Sequence, residues 1–251
     1  MVNKKSKIFL AGHKGHLGSA IYKNLIKKGY KNIIIKDKSQ LDLLNQSQVF
    51  KFLKKTKPKI VIIAAARVGG IYANNKFRGK FIYENLQIQN NLIHGSYMVG
   101  TKNLIFFGSS CIYPRDITKT ITEKMLLSGK LEYTNEPYAI AKIAGIKLCE
   151  SYNRQYNLDY RCVMPTNLYG PGDNYHEKNS HVIPGLIRRF HDAKINNDNE
   201  VLVWGTGKPR REFLYCEDLA DACFRLINIP KEELYKNVEE QSSHINIGSG
   251  K

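Results

Sequence analysis

The stretch that decides the fold is Lys7–Ser19, which reads KIFLAGHKGHLGS. A short apolar run ends at Ala11, and the glycines Gly12, Gly15 and Gly18 follow it at regular spacing. A strand, a glycine loop and a helix in this order are typical of a dinucleotide-binding site. Gly12 permits the tight turn, Gly15 lets the backbone approach a pyrophosphate, and Gly18 lets the helix pack close to the sheet. The free N–H groups of the first helical turn then face the phosphates.

Further apolar runs alternate with helical segments along the chain. We expect strands over Asn32–Lys36, Ile60–Ala66, Leu104–Phe107, Arg161–Pro165 and Val201–Trp204. The near-continuous apolar character of Ile60–Ala66 is what burial on both faces of a parallel sheet demands. The predicted fold class is therefore α/β: a Rossmann-type doubly wound parallel sheet with a smaller C-terminal substrate lobe.

The end of the second predicted strand bears on which dinucleotide binds. An NAD site usually has an acidic residue there for the ribose diol. This chain has Lys36, Asp37 and Lys38 in succession, and the two lysines, with Lys14 of the glycine loop, can neutralise a 2′-phosphate. These residues favour NADP, whereas Asp37 keeps NAD open as an alternative.

The alternation of strands and helices loosens after residue 165. We therefore assign residues 1–165 to an NADP-binding Rossmann domain and residues 166–251 to a substrate-binding lobe. The helical segment 212–229 is expected to pack back on the first domain. The chain stops just after a strand-like run, an unusual place for a domain to end, so we expect the lobe to be incomplete at its C-terminus.

A tyrosine and a lysine share one face of a helix that is otherwise apolar. The helix opens at Asn135, a good N-cap, and Tyr138 and Lys142 lie four residues apart on the same face. We expect the Lys142 ammonium group to lower the pKa of the Tyr138 phenol, so that the pair can exchange a proton with a carbonyl or alcohol oxygen. Ser109, at the end of the fourth predicted strand, completes a constellation in which its hydroxyl holds the substrate oxygen.

Composition narrows the class of protein. No apolar run approaches the ~20 residues of a membrane span, and the N-terminus leads into a strand without the pattern of a signal peptide. The five cysteines are scattered, which favours reduced thiols, a cytoplasmic location and no metal site. The formal net charge of +17 raises the question of nucleic-acid binding. The lysines are spread along the chain, so we expect neither a nucleic-acid nor a membrane partner.

Taken together, several stretches resemble the extended short-chain dehydrogenase/reductase family. They are Ala11–His13, Ala66–Ile71, Gly108–Pro114, Asn135–Tyr156, Pro165–Pro171 and Asn179–Pro184. The chain closely resembles members that epimerise GDP-4-keto-6-deoxy-D-mannose at C3 and C5 and then reduce it at C4 with NADPH. The resemblance also implies a homodimer that pairs through two long helices.

The resemblance implies roles for individual residues. Tyr138, Lys142 and Ser109 would serve the reduction, whereas Cys111 and His181 would serve the epimerisation as base and acid. We expect neighbouring cations to lower the pKa of the Cys111 thiol, so that a thiolate forms.

Two larger groups of residues complete the expected site. The resemblance implies that Arg189, Trp204 and Arg211 bind the GDP-sugar. The expected cofactor contacts are Gly12, His13, Lys14, Gly15, His16, Leu17, Gly18, Lys36, Ala64, Ala65, Phe107, Gly108, Ser109, Ser110, Lys142, Pro165, Thr166, Asn167, Leu168 and His181.

Three alternatives stay open. A sugar-nucleotide 4,6-dehydratase or 4-epimerase would have the same fold, but dehydratases have acidic residues where this chain has Ser110 and Cys111. A non-catalytic NADP-binding protein that binds RNA through its positive charge is a third alternative, against which the intact Ser109, Tyr138 and Lys142 argue. Salt titration of RNA binding would separate that class from an enzyme.

Overall fold

The computed structural model describes residues 2–177, 179–203, 205–208, 210–239 and 243–250. In chain order the strands are β1 (Ile8–Ala11), β2 (Ile33–Ile34), β3 (Ile60–Ile63), β4 (Asn103–Phe107), β5 (Asp159–Pro165), β6 (Asn167–Tyr169), β7 (Phe213–Tyr215) and β8 (His244–Ile247). The helices are α1 (His16–Lys27), α2 (Gln46–Thr56), α3 (Ile71–Lys76), α4 (Arg78–Met98), α5 (Glu136–Tyr156), α6 (Val182–Asn196), α7 (Cys216–Asn228) and α8 (Lys231–Tyr235). Short 3₁₀ turns cover Ser110–Ile112 and Glu123–Met125.

A parallel sheet organises the described part of the chain. Its strands lie in the order β2-β1-β3-β4-β5-β8, and every neighbouring pair runs parallel. This arrangement confirms the predicted doubly wound parallel sheet. The winding direction reverses between β1 and β3, and ligands of such sheets bind outside the carboxyl ends of the strands at that point.

Two apolar layers cover the sheet, and β3 shows why its sequence is apolar throughout. Val61 and Ile63 pack into the layer under α2, α4 and α5. Ile60 and Ile62 point the other way, into the layer formed with α1 and α7. Successive side chains of a strand face opposite sides of the sheet, so each residue of β3 is buried. Among the described helices, none has both the length and the hydropathy that a membrane crossing requires.

The last strand corrects the predicted domain boundary. β8 pairs with β5, with His244 opposite Cys162 and Ile247 opposite Pro165. Residues 244–247 therefore belong to the main sheet, although the sequence analysis placed them in the substrate lobe. A strand of four residues does not reveal its partner by its own pattern, and here the partner lies about eighty residues earlier in the chain. The described part of residues 166–239 contains α6, α7, α8 and the separate pair β6–β7. Of these, α7 packs with α1 against the main sheet.

Other predicted boundaries also shift. Residues 201–203 form no strand, and Leu202 and Val203 are exposed, because an apolar run becomes a strand only where it finds a neighbour. Trp204 lies outside the described residues. The helix after the glycine loop begins at His16, three residues before Ser19, where it was predicted to begin.

Three glycines join β1 to α1, and they are enclosed to very different degrees. A Cβ atom on Gly18 would lie 2.0 Å from the carbonyl oxygen of Gly12, inside the turn itself. A Cβ atom on Gly15 would meet only the same oxygen, at 3.4 Å. The close packing that the sequence analysis assigned to Gly18 is therefore a backbone-to-backbone contact between the loop and the helix.

We predict that Gly18→Ala lowers the free energy of unfolding by about 1–3 kcal/mol, because the added methyl group forces the loop and α1 apart. Gly15→Ala is the matched control, with an expected change below about 1 kcal/mol. Urea unfolding followed by circular dichroism measures both. Equal midpoints for the two variants would contradict this account of the loop.

Candidate active site

The loops after β1, β3, β4 and β5 meet at one edge of the sheet, where the predicted site residues lie. Gly12 follows β1 directly and has φ +89°, and a Cβ atom there would lie 2.6 Å from the backbone nitrogen of Ala65. Ala64, its neighbour, donates its N–H to the carbonyl of Ala11 at 3.0 Å. Only glycine fits at the point where these two strand ends touch.

The first turn of α1 is open to an anion. Its N-cap residue is Gly15, which has no side chain to cap the helix, and no acidic residue lies in the first turn. The N–H groups of His16, Leu17 and Gly18 therefore have no side-chain cap, as a phosphate-binding helix end requires.

A small charged cluster lies beside the glycine loop. Lys14 Nζ donates to Asp37 Oδ2 at 2.7 Å, and His13 Nε2 lies 3.3 Å from Asp37 Oδ1. The pKa of Asp37 lies below its ordinary value, chiefly because of the hydrogen bond from Lys14. Each oxygen of this carboxylate is thus engaged by the protein itself.

Polar atoms without a described partner line the same crevice. His13 Nδ1, His16 Nε2 and Thr166 Oγ1 are buried and make no hydrogen bond in the described part of the chain. Burial lowers the pKa of His16, and the nearby charge of His181 lowers it further, while Asp173 opposes both. The structure therefore brings His181, at the start of α6, close to the glycine loop.

The other residues assigned to the cofactor lie at strand ends or just beyond them. Phe107 ends β4, and Gly108 follows it with its N–H donated to the carbonyl of Val163 at 2.9 Å. Pro165 ends β5, Asn167 and Leu168 belong to β6, Ser110 opens the 3₁₀ turn, and Lys36 follows β2.

Lys142 is a buried cation, only 3% exposed. Its Nζ donates to the carbonyl of Phe107 at 2.8 Å and lies 4.7 Å from the ring centroid of Phe106. Burial lowers its pKa to about 8, although Cys111 and Cys162 act in the opposite direction. One bond from a side chain of α5 thus fixes the helix against the end of β4.

Tyr138 differs from the sequence expectation in its acidity. Its pKa is raised, first by burial and then by Cys111, whereas the sequence analysis expected Lys142 to lower it. The correction follows from the geometry, because the Lys142 ammonium group is bonded to Phe107 and lies 5.7 Å from the Tyr138 ring centroid. The raised pKa keeps the phenol protonated at neutral pH, so Tyr138 has a proton to donate, but it also makes the phenol a weaker acid than a free tyrosine.

Cys111 also departs from the expectation for its pKa. Burial raises the pKa of Cys111, while the neighbouring Ser109 hydroxyl and the charge of Lys142 favour the thiolate. Burial outweighs both and raises the pKa of Cys111 to about 11. The expectation that cations lower the pKa of Cys111 is therefore wrong in direction, because the loss of hydration destabilises the thiolate more than its neighbours stabilise it. The structure does unite Ser109, Cys111, Tyr138 and Lys142.

Asn135 precedes α5 but does not cap it with its side chain. Its side-chain amide instead donates to Glu132 Oε2 at 3.0 Å, as does its own N–H. Thr134 donates to the same carboxylate through its N–H and its hydroxyl. Burial raises the pKa of Glu132, but these hydrogen bonds lower it more. Sequence reasoning missed Glu132, and an acidic residue three positions before the N-cap residue Asn135 was the available signal.

A second missed group fixes the loop that carries Cys111. The Tyr113 hydroxyl donates to Asn246 Oδ1 at 2.5 Å and lies 2.9 Å from His244 Nε2. Asn246 in turn donates its N–H to Glu123 Oε1 at 2.9 Å. Burial lowers the pKa of His244. These contacts join residues more than a hundred positions apart, so no local pattern could reveal them.

The residues expected to hold a GDP-sugar lie in the segment after β6. Arg189, on α6, donates to the carbonyl of Leu202 at 3.3 Å. Arg211 donates to the carbonyl of Arg210 at 2.7 Å and is exposed.

A glycine loop and a Tyr–Lys pair at the carboxyl edge of a doubly wound parallel sheet define the class of Rossmann-type dinucleotide-dependent enzymes. The chain belongs to the NAD dependent epimerase/dehydratase family, whose model matches residues 8–248. This membership agrees with the family resemblance found in the sequence.

Relatives with assigned names are similar over nearly the whole chain. A GDP-L-fucose synthase 1 from Arabidopsis thaliana is 53% identical over 250 residues, which are 100% of this chain and 75% of that protein. A GDP-L-fucose synthase from Escherichia coli K12 is 50% identical over 246 residues, 98% of this chain and 77% of that protein. Among solved structures, a GDP-D-glycero-L-gluco-heptose synthase from Campylobacter jejuni, determined in the presence of NADPH, is 39% identical with a TM-score of 0.91, covering 100% of this chain and 82% of that one.

We predict that the thiol of Cys111 resists alkylation at neutral pH. With its pKa raised to about 11, the thiolate is a minor species at pH 7, and its fraction rises about tenfold for each pH unit up to pH 10. Iodoacetamide labelling followed by peptide mass spectrometry should therefore show a rate that still climbs between pH 9 and pH 10. A rate that levels off near pH 8.5 would mean that the thiol titrates as in a free peptide.

Proposed function

We propose that this chain converts GDP-4-keto-6-deoxy-D-mannose to GDP-L-fucose by epimerisation at C3 and C5 and reduction at C4 with NADPH. The observation that carries the proposal is the group formed by Ser109, Cys111, Tyr138 and Lys142 at the end of β4. It combines a protonated phenol, suited to reduction, with a thiol that can exchange protons with carbon. The identity of about half of all residues with GDP-L-fucose synthases supports the same conclusion.

The residues present fit an NADP molecule. The backbone at Gly12 and Gly18 leaves no room for side chains, while the space above Gly15 is open. The uncapped first turn of α1 would hold the pyrophosphate. His13 Nδ1 and Thr166 Oγ1 are buried without a described partner, as expected of atoms that bond to a ligand. Lys14 and Lys36 would contact the 2′-phosphate.

For the reduction, bound NADPH supplies the hydride that C4 receives. Tyr138 gives its proton to the oxygen at C4, and the Ser109 hydroxyl holds that oxygen. Burial keeps the Tyr138 phenol protonated until the oxygen becomes basic. The positive charge of Lys142 then stabilises the phenolate that remains.

For the epimerisation, the C4 ketone acidifies the neighbouring C–H bonds. The Cys111 thiolate takes a proton from carbon, and the electron pair of the C–H bond moves into the ketone to give an enolate. His181 returns a proton to the opposite face of the same carbon. A thiol with a pKa of about 11 is mostly protonated at neutral pH, but its thiolate is a correspondingly strong base.

The segment 166–239 would bind the sugar nucleotide. Arginines bind diphosphates in a bidentate manner, and Arg189 and Arg211 would do so here, with Trp204 against the GDP-sugar. This role for the lobe, and its boundary at residue 166, are part of the proposal.

Assembly and compartment complete the proposal. α4 and α5 pack side by side, and Tyr83 and Ile140 on them are exposed, which suits the interface of a homodimer. Sedimentation velocity tests this pairing. A reducing cytoplasmic compartment is proposed because Cys111 can act as a base only as a free thiol.

We predict that two variants separate the two halves of the reaction. Tyr138→Phe removes the proton donor and should lower the rate of C4 reduction about 10²–10⁴-fold, while deuterium exchange from D₂O into C3 and C5 continues. Cys111→Ser should show the reverse, with exchange lost and slow reduction of the unepimerised sugar retained. Tyr133→Phe, on an exposed ring, is the matched control and should behave as wild type.

NADPH consumption and mass spectrometry of the sugar nucleotide measure both activities in that comparison. Loss of both activities in each single variant would show that Tyr138 and Cys111 are both needed for reduction and for epimerisation, and so do not have separate roles. Deuterium exchange at the wild-type rate in Cys111→Ser would show that Cys111 is not the base of the epimerisation.

We predict that NADPH is preferred over NADH and that Lys14→Met weakens this preference. The substitution removes a cation from the 2′-phosphate and frees the Asp37 carboxylate, which Lys14 now engages, to repel that phosphate. The KM for NADPH should rise about tenfold or more, while that for NADH changes little. Lys57→Met, at the end of α2, is the charge-matched control. Equal losses with both cofactors would place Lys14 away from the 2′-phosphate.

A further inference from the structure

The loop that follows β3 contains two adjacent glycines to which the proposed reaction gives no role. The backbone N–H of Gly70 donates to the carbonyl of Asn179 at 3.2 Å. This bond joins the loop after β3 to a segment more than one hundred residues later, directly before His181.

Gly70 lies too close to that segment to have a side chain. A Cβ atom there would lie 2.5 Å from the carbonyl oxygen of Ser180. The obstacle is backbone, which cannot rotate away as the end of a side chain can. Any larger residue at position 70 must therefore displace Ser180, and His181 with it.

The segment around His181 has little freedom of its own. Ser180 donates its N–H to the carbonyl of His176 at 3.2 Å, and Gly185 donates to the carbonyl of His181 at 3.0 Å. His181 is the N-cap residue of α6. A shift at Ser180 is therefore passed directly to the start of the helix.

On its other side, the loop is fixed to α4. Asn85 Oδ1 accepts the N–H of Arg67 at 2.9 Å, and Asn85 Nδ2 donates to the carbonyl of the same residue at 3.0 Å. A Cβ atom on Gly69 would lie 3.3 Å from Phe81 Cζ and 2.9 Å from Ala73 Cβ.

Phe81 links this loop to the reduction site. Its ring lies edge-on to that of Tyr138, with centroids 6.4 Å apart. Phe81 therefore lies between Tyr138 and the glycine pair, and the glycine pair lies against the backbone of Asn179 and Ser180.

We propose that Gly70 is a positioning residue, which sets the location of His181 relative to Tyr138 and Cys111. The inference rests on the proposed function, in which His181 returns a proton to the face opposite the thiolate. The return of a proton to one face of a carbon requires that the acid be placed within about 1 Å of its optimal position. Misplacement by that distance can lower the rate about a hundredfold. Because Gly70 has no side chain, the loop after β3 can approach the segment at Asn179 and Ser180 closely enough to set the position of His181.

The test is Gly70→Ala, with Gly79→Ala as the matched control. Gly79 lies in the first turn of α4, and a Cβ atom there would meet nothing within 4 Å. Deuterium exchange into C3 and C5 should fall about 10–100-fold in Gly70→Ala. The rate of NADPH oxidation should stay within a few-fold of its wild-type value and yield unepimerised sugar. The Kd for NADPH should also stay within a few-fold, because His181 is only one of many residues expected to contact the cofactor. Gly79→Ala should match the wild type in every measurement.

A merely structural role for Gly70 would lower exchange, reduction and cofactor binding together, and that result would overturn the inference. Exchange at the wild-type rate in Gly70→Ala would overturn it as well. If the wild-type chain itself shows no deuterium exchange, the proposed epimerisation is contradicted. That result differs from a loss of exchange in Gly70→Ala alone.

A second variant covers the case in which Gly70→Ala does not fold. Gly69→Ala should displace the same loop, mainly through its contact with Ala73, and lower exchange selectively. Adding Ala73→Gly relieves the tightest contact and should restore exchange. Failure of this rescue in a folded double variant would also contradict the proposal.

Discussion

The hydrogen bond from the buried ammonium group of Lys142 to the carbonyl of Phe107 is the interaction on which the site depends. A cation that is 3% exposed must have its donors satisfied, and this carbonyl at the end of β4 accepts one of them. The bond joins α5 to the end of β4. Tyr138, one turn earlier on the same helix, is thereby brought beside the loop that bears Ser109 and Cys111. Burial lowers the pKa of Lys142 to about 8.

Much of the fold could be predicted because its physical causes are local. The spacing of Gly12, Gly15 and Gly18 predicts the strand–loop–helix unit. The apolar sequence of β3 predicts that each of its residues is buried. What the sequence could not give is pairing over distance. β8 was assigned to the lobe because nothing in four residues identifies β5 as their neighbour. The run Val201–Trp204 was predicted to be a strand from its apolar pattern alone, whereas the described residues of that run, 201–203, form no strand.

The site residues were predicted more fully than their acidities. Spacing on a helix places Tyr138 and Lys142 on one face, and the strand end places Ser109 near Cys111. A pKa, however, is a balance between hydration lost and charges gained, and the sequence shows only the charges. At Cys111 burial outweighs the charge of Lys142, and at Tyr138 burial and Cys111 both raise the pKa, so both groups hold their protons. The contacts of Tyr113 were missed because they join distant parts of the chain. Glu132 was missed although its hydrogen bonds to Thr134 and Asn135 are local.

The pKa values of Tyr138 and Cys111 are consistent with separate roles for the two residues in the proposed reaction. Reduction consumes a proton, and a phenol that stays protonated is ready to give it. Epimerisation removes a proton and returns it, so it needs a strong base on one face and a separate acid on the other. Tyr138 and Cys111 are tied to the sheet through α5 and β4, whereas His181 begins α6 in another part of the chain. The face-to-face geometry must therefore be set where these parts touch, and the contact of Gly70 with the backbone at Asn179 and Ser180 is such a junction.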